Sequence, residues 1–323
     1  MARHTNPDTI DRPGPKRGRT SAPARPPAVS LFLSLRPAQW TKNLIVFAGL
    51  IAGQRLFDRG AVLTSIAAFA VFCALSGVVY LVNDVADREA DRQHPTKRRR
   101  PIASGAVSVR LALLTAAVLG TAALSAAYLL RLEFGIAASV YLALLGLYSG
   151  PLKHVVIIDV LTIAVGFVLR AAAGALVLGV EIGHWLLIVT LLLALFLALS
   201  KRRHELVLLA GGATSHRRIL QEYTPYLLDQ MISVVTASTL VAYAFSTISP
   251  EVIAKFGTDK LGLTFPFPLY GIFRYLYLVH QKEGGGSPSD MLLNDRPLLV
   301  FVARWASAVV LFIYGPDRLL GTT

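Results

Sequence analysis

Nine apolar runs, separated by short polar segments, set the pattern of the chain. They cover Leu44–Gly53, Ala61–Val82, Leu111–Leu130, Phe134–Tyr148, Val155–Val180, Trp185–Leu199, Met231–Ile248, Leu261–Val279 and Leu298–Tyr314. A helix that crosses the hydrocarbon core needs about 20 mainly apolar residues, with ~17 as the lower bound. The first run reaches that length only if Leu31–Asn43 continues it, and the fourth and sixth borrow flanking residues. The pattern predicts an all-α polytopic membrane helix bundle of about nine spans, with eight as the alternative. No repeat of 20–50 residues is visible, so residues 29–323 are expected to form one transmembrane domain. Residues 1–28, rich in Pro, Arg, Ser and Thr and without an early apolar stretch, are expected to be a disordered basic tail rather than a signal peptide. Glu283–Ser289 reads as a flexible loop.

Composition agrees. Hydrophobic residues make up 54% and charged residues 16%, where soluble domains carry about 25% charged residues. Mean hydropathy is +0.57. An ordinary cytosolic protein and a disordered chain are both excluded. The net charge of +13 would suit nucleic acid, but the basic residues cluster in short loops between apolar runs, so no nucleic-acid partner is expected. With the N-terminus in the cytoplasm and nine spans, 22 Lys and Arg fall on the cytoplasmic side against six opposite. That bias predicts a multi-pass protein of the cell membrane with its longest polar loops in the cytoplasm. The single cysteine, Cys73, permits no internal disulfide. The histidines lack paired metal-ligand spacing, and no nucleophile elbow or Walker loop occurs.

The second run closes on Tyr80-Leu-Val-Asn83-Asp84-Val-Ala-Asp87-Arg-Glu-Ala-Asp91. At ~100° per residue, Asp87, Asp91 and Asp84 fall about 40°, 80° and 100° from Asn83 on a helical wheel. Carboxylates stacked on one face repel unless a cation lies between them, and hard oxygen donors suit Mg²⁺. A basic run follows at once: Lys97, Arg98, Arg99 and Arg100. An acidic, metal-binding face beside such a run is what a diphosphate requires. Inside the fifth run, Asp159 and Arg170 lie close to three turns apart and share a face. Arg274 follows Pro266 and Pro268 in the eighth run. Charges within spans are costly and usually face a cavity. Lys42 and Lys153 stand at span ends where either could reach an anion.

The acidic segment resembles the first aspartate-rich motif of the UbiA-type membrane prenyltransferase superfamily. The resemblance implies that Asn83, Asp84 and Asp87 hold Mg²⁺ and the diphosphate of a donor, with Asp91 at the same motif. Superfamily members that use a prenyl diphosphate donor usually carry a second motif, Asp-x-x-x-Asp, after span six. This chain has Ser200-Lys201-Arg202-Arg203-His204-Glu205 there. The decaprenyl-phosphate phosphoribosyltransferase branch fits better. It is similar in Arg36-Pro-Ala-Gln-Trp-Thr-Lys42-Asn43, Tyr80–Gly105, Tyr148–Lys153, Asp159–Arg170, Lys201–Leu206, Tyr270–Tyr275 and Asn294–Leu298.

That branch implies transfer of 5-phosphoribose from phosphoribosyl diphosphate (PRPP) to a polyprenyl phosphate, Mg²⁺-dependent, supplying arabinose donors for the cell wall. Asp84, Asp87 and Asp159 are then the expected catalytic residues. Lys42, Asn43, Asp91, Lys97, Arg98, Arg100, Lys153, Arg170, Lys201, Arg202 and Arg274 are the expected substrate-binding set. Two other readings stay open: a prenyltransferase acting on an aromatic acceptor, and a non-catalytic transporter or binder of anionic lipids. Self-association also stays open.

Overall fold

The computed structural model describes residues 26–210, 218–282 and 288–319, and among these every regular element is helical. The expected basic tail lies outside the described residues as far as residue 25. Pro27 and Ala28, placed in that tail from sequence, already belong to a first short helix, Pro27–Ser34. Most of the expected flexible loop, 283–287, is likewise outside the described residues, and its last two residues open the helix Pro288–Asn294.

The helices of sixteen residues or more are numbered α1 (Arg59–Ala86), α2 (Val109–Leu130), α3 (Leu132–Ser149), α4 (Ile158–Leu178), α5 (His184–Ala210), α6 (Pro225–Ile248), α7 (Pro266–Gln281) and α8 (Arg296–Leu319). All except α7 have the length and hydropathy to cross a membrane. The chain is therefore an integral membrane protein. In lipid, every backbone polar group must find a partner within the chain, which only closed hydrogen-bonded elements such as helices provide. The ends are stopped by polar caps. Asp58 accepts from Gly60 and Ala61 N–H ahead of α1, Ser108 from Leu111 N–H ahead of α2, and Thr224 from Leu227 N–H ahead of α6.

Seven of the nine apolar runs thus become long helices, and the remaining two are broken. The first becomes Pro27–Ser34, a 3₁₀ stretch Pro37–Phe47 and the short helix Ala48–Ala52. The break falls at Arg36, whose φ is 53°. Pro37 disfavours the α region for the residue before it. The eighth run splits into the 3₁₀ turn Lys260–Thr264 and α7. Pro266 and Pro268 supply no N–H to carry a helix across that point. Both broken segments line the central cavity described below.

The broken N-terminal arm lies directly on α4. A Cβ added at Gly174 would overlap the Val46 carbonyl, and one at Gly49 would overlap the Gly174 carbonyl. Only glycine allows the two backbones to approach so closely. One apolar core gathers Val46, Leu50, Phe72, Leu75, Phe134 and Tyr141 from the arm, α1 and α3. A second gathers Phe196, Leu199, Leu228, Ile272 and Leu298 from α5 to α8. Many large apolar side chains remain outside, among them Leu114, Val118 and Leu129, as expected where lipid is the solvent. Polar clusters form at the two ends of α4. Asp159 opens one, and Leu178 with Glu181 joins Arg55 and Lys255 at the other.

Candidate active site

One cavity of about 2000 Å³ occupies the interior, walled by the arm, α1 and α3 to α8. A site for a single drug-sized ligand is ~300–1,000 Å³, so this space is larger than one such ligand needs. Its ends differ. Arg36, Lys42, Asn83, Asp87, Asp91, Lys97, Arg100, Lys153 and Lys201 line the end near the start of α4. Leu240, Phe267, Ile272, Leu299, Val302 and Trp305 line the other part.

At the charged end, α1 stops at Ala86 and Asp87 is its C-cap. The helix expected to continue through Asp91 is interrupted, and Asp91 stands on a separate short helix, Arg88–Gln93. The acidic groups converge even so, by way of arginine. One Arg100 nitrogen bonds both Asp84 (3.2 Å) and Asp91 (2.6 Å). Arg36 donates to the same Asp84 oxygen and lies over the Tyr80 ring at 4.6 Å. Lys153, from the 3₁₀ turn Leu152–His154, reaches Asp87 at 3.0 Å. Asp84 and Asp91 are both buried, but Asp91 lines the cavity with Asn83 and Asp87 and Asp84 does not.

Among the described residues, no three His, Cys, Asp or Glu side chains come together as a closed metal cage. Mg²⁺ does not need one. It commonly takes one or two carboxylates and completes its shell with water and substrate phosphate. Asn83, Asp87 and Asp91, hard oxygen donors on the wall of an open cavity, fit that requirement. Asp84, expected from sequence as a ligand, instead fixes Arg36 and Arg100.

The segment after the sixth apolar run is built differently. Arg202 is only 1% exposed. It donates to Asp159 (2.7 Å), Glu205 (2.7 Å) and Tyr148 (3.2 Å). Asp159 is fully buried, its second oxygen accepting from Tyr223 at 2.9 Å, and it does not line the cavity. A ribose hydroxyl thus has no open Asp159 oxygen to meet, and the acid holds Arg202 instead. Burial pushes the Tyr223 hydroxyl up to about 12, helped by its bond to Asp159, so it stays protonated and donates.

Arg170 is buried on the cavity wall. It bonds the Tyr141 hydroxyl at 2.6 Å and the Gly166 carbonyl at 3.3 Å, and no carboxylate pairs with it among the described residues. Its Nε lacks a hydrogen-bond partner. Lys42 and Lys201 share that cavity. Asn43 faces away, fully buried between Cys73 (3.3 Å) and Ser76 (3.3 Å). Arg98 is exposed off the cavity, and Arg274 pairs with Asp295 at 2.8 Å, also off it. Sequence reasoning did not single out Arg36, Tyr148, Glu205 or Tyr223. Only Arg36 carried a signal, a cation directly before a proline at the head of a span.

These features define a polytopic membrane protein with one internal, charge-lined binding cavity. Residues 43–294 match the UbiA prenyltransferase family, and the chain is a member of that enzyme family. It is 33% identical over 296 residues to the decaprenyl-phosphate phosphoribosyltransferase of Corynebacterium glutamicum, covering 89% of this chain and 87% of that one. It is 33% identical over 294 residues to the enzyme of the same name from Mycobacterium tuberculosis, covering 88% and 95%. Its fold is that of a UbiA homolog from Archaeoglobus fulgidus solved with GPP and Mg²⁺. The TM-score is 0.66 at 18% identity, over 88% of this chain and 99% of that one.

Proposed function

We propose that this protein transfers the 5-phosphoribosyl group of PRPP to a polyprenyl phosphate and releases diphosphate. The observation that carries the reading is the pairing of two walls on one cavity. Asp87 and Asp91 stand on one, and Lys42, Arg170 and Lys201 on the other, Lys201 opening the segment where a prenyl diphosphate user would carry carboxylates. A cation-rich second wall suits a donor with a further phosphate on C5 and an acceptor that is itself a phosphate. The two relatives bearing the phosphoribosyltransferase name match over most of their length.

The acceptor phosphate is anionic at neutral pH, so no side chain has to remove a proton from it. Its oxygen forms the bond to C1 as the bond from C1 to diphosphate breaks, and the electron pair leaves with the diphosphate. Positive charge is shared by C1 and the ring oxygen on the way, as in glycoside cleavage. Mg²⁺, held by Asn83 and Asp87 with Asp91 beside them, supplies charge neutralisation of the diphosphate when bound. Lys97, Arg100 and Lys153 give charge-assisted hydrogen bonds to its oxygens. Lys42, Arg170 and Lys201 receive the remaining phosphates. The apolar part of the cavity and the surrounding lipid take the polyprenyl chain. The charged end faces the cytoplasm, the side favoured by the distribution of Lys and Arg, where soluble PRPP is available.

The test supplies purified protein in detergent with labelled PRPP, polyprenyl phosphate and Mg²⁺. A phosphoribosylated lipid, inverted to the β configuration at C1, is the expected product. Turnover of a prenyl diphosphate with an aromatic acid in its place, or binding of lipid without turnover, overturns the reading.

A further inference from the structure

Between Lys153 and α4 the backbone turns through Ile157 at φ 69°, ψ −43°. The Ile158 N–H bonds back to the Val156 carbonyl at 2.8 Å, closing a three-residue turn of the positive-φ kind, which is rare and strained. A β-branched residue there is a genuine outlier. Packing of its own side chain does not account for it, because Ile157 is 44% exposed. A different contact accounts for it. The Ile157 N–H donates to the Tyr223 hydroxyl at 2.7 Å, and that hydroxyl donates onward to Asp159 at 2.9 Å. Arg202 holds the other Asp159 oxygen at 2.7 Å. Tyr223 is itself buried, 3% exposed, in the core between α4, α5 and α6.

We propose that Tyr223 is a positioning residue: it clamps the strained turn at Ile157 and thereby fixes Lys153 on the cavity wall against Asp87. Tyr223 touches no substrate. It acts through a turn four residues from Lys153, whose ammonium lies 3.0 Å from Asp87. Strain of this kind persists only where surrounding structure over-determines it, and the Asp159–Arg202 pair supplies that fixed frame. The assignment of Lys153 to the donor's diphosphate rests on the reaction proposed above. The clamp itself rests on the geometry alone.

The experiment compares Tyr223→Phe, Lys153→Met and the double variant in detergent-purified full-length protein. Tyr223→Phe keeps the buried ring and removes both hydrogen bonds. Its KM for PRPP should rise about tenfold, the effect of losing roughly 1.4 kcal/mol of binding. The KM for polyprenyl phosphate should stay within twofold. The double variant should be no worse than Lys153→Met alone, since the two act on one contact. Adding Ile157→Gly to Tyr223→Phe should recover part of the loss, because glycine adopts positive φ without strain.

Additive losses in the double variant, equal effects on both substrates, or no effect of Tyr223→Phe overturn the positioning role. Hydrogen exchange of the 152–158 backbone gives a readout independent of turnover. It should quicken in Tyr223→Phe, and unchanged exchange overturns the clamp even if the wild-type protein proves inactive with PRPP. Such inactivity would by itself refute only the reaction.

Discussion

On one wall of the cavity Asp84, Asp87 and Asp91 meet Arg36, Arg100 and Lys153. At the other, Arg202 meets Asp159 and Glu205. Both are clusters of salt bridges at the same end of the bundle, yet their surroundings differ. Side-chain exposure is 36% for Asp87, 28% for Arg100 and 27% for Arg36, although Asp84 and Asp91 are at only 2% and 4%. It is 2% for Arg202 and 0% for Asp159. A half-solvated pair contributes little to stability and exchanges partners readily. A dry pair is costly to form, and far costlier to break from one side only. Solvation therefore separates a wall that can open to receive the proposed metal and phosphate from one that holds the frame still.

The largest effect should come from the open wall and appear only in turnover. Asp87→Ala removes a cavity-facing carboxylate that is a proposed Mg²⁺ ligand. Its rate should fall by about 10³-fold, several kcal/mol of lost charge stabilisation in the transition state. The melting temperature in detergent should barely move. Full activity in folded Asp87→Ala would remove the metal assignment, and a large drop in melting temperature would place Asp87 with the buried pairs.

Next comes the closed wall, where the same kind of substitution should act on stability. Arg202→Met leaves Asp159 buried and charged with Tyr223 as its remaining partner, at a cost of ~3–5 kcal/mol. Lys153→Met, on the open wall, leaves only the 36% exposed Asp87 without its partner and should cost ~1 kcal/mol or less. Thermal unfolding of both variants in the same detergent makes the measurement. Equal shifts would mean that exposure does not distinguish the two walls.

Much of this was legible in the sequence, and the illegible part has a physical cause. Seven long helices follow from apolar runs because a span must be apolar almost throughout. The two broken runs were harder. Their hydropathy is continuous, while their geometry is decided by single backbone events at Arg36-Pro37 and at Pro266 and Pro268. The acidic motif announced itself by spacing within one stretch of chain. Its partners did not, since Arg36 is 48 residues from Asp84 and Lys153 is 66 from Asp87. Asp159 and Arg202 were both noticed, the first expected to be catalytic and the second to bind substrate. Only burial shows that they neutralise each other. Tyr223 carries no sequence signal at all, because a tyrosine that bonds a backbone N–H looks like any interfacial aromatic.

The smallest effect should come from a third pair, at the rim, which tests how far the comparison extends. Arg274 on α7 holds Asp295, which also caps α8 by accepting from Leu298 N–H at 2.9 Å. The hydrogen bond from Arg274 keeps the Asp295 carboxyl below the usual carboxylate range. A carboxyl lowered in this way stabilises the fold fully above its unfolded value of about 3.9 and loses that contribution as pH falls through its folded value. Wild type and Arg274→Met should therefore differ slightly in melting temperature at pH 7 and converge as pH falls through the lowered folded value of Asp295, beneath which it is protonated in both. Arg274 also lies over the Tyr277 ring at 5.3 Å, a contact that does not titrate with Asp295. A gap that persists undiminished into acid would assign the contribution to that ring contact, and the rim pair would then belong with neither wall.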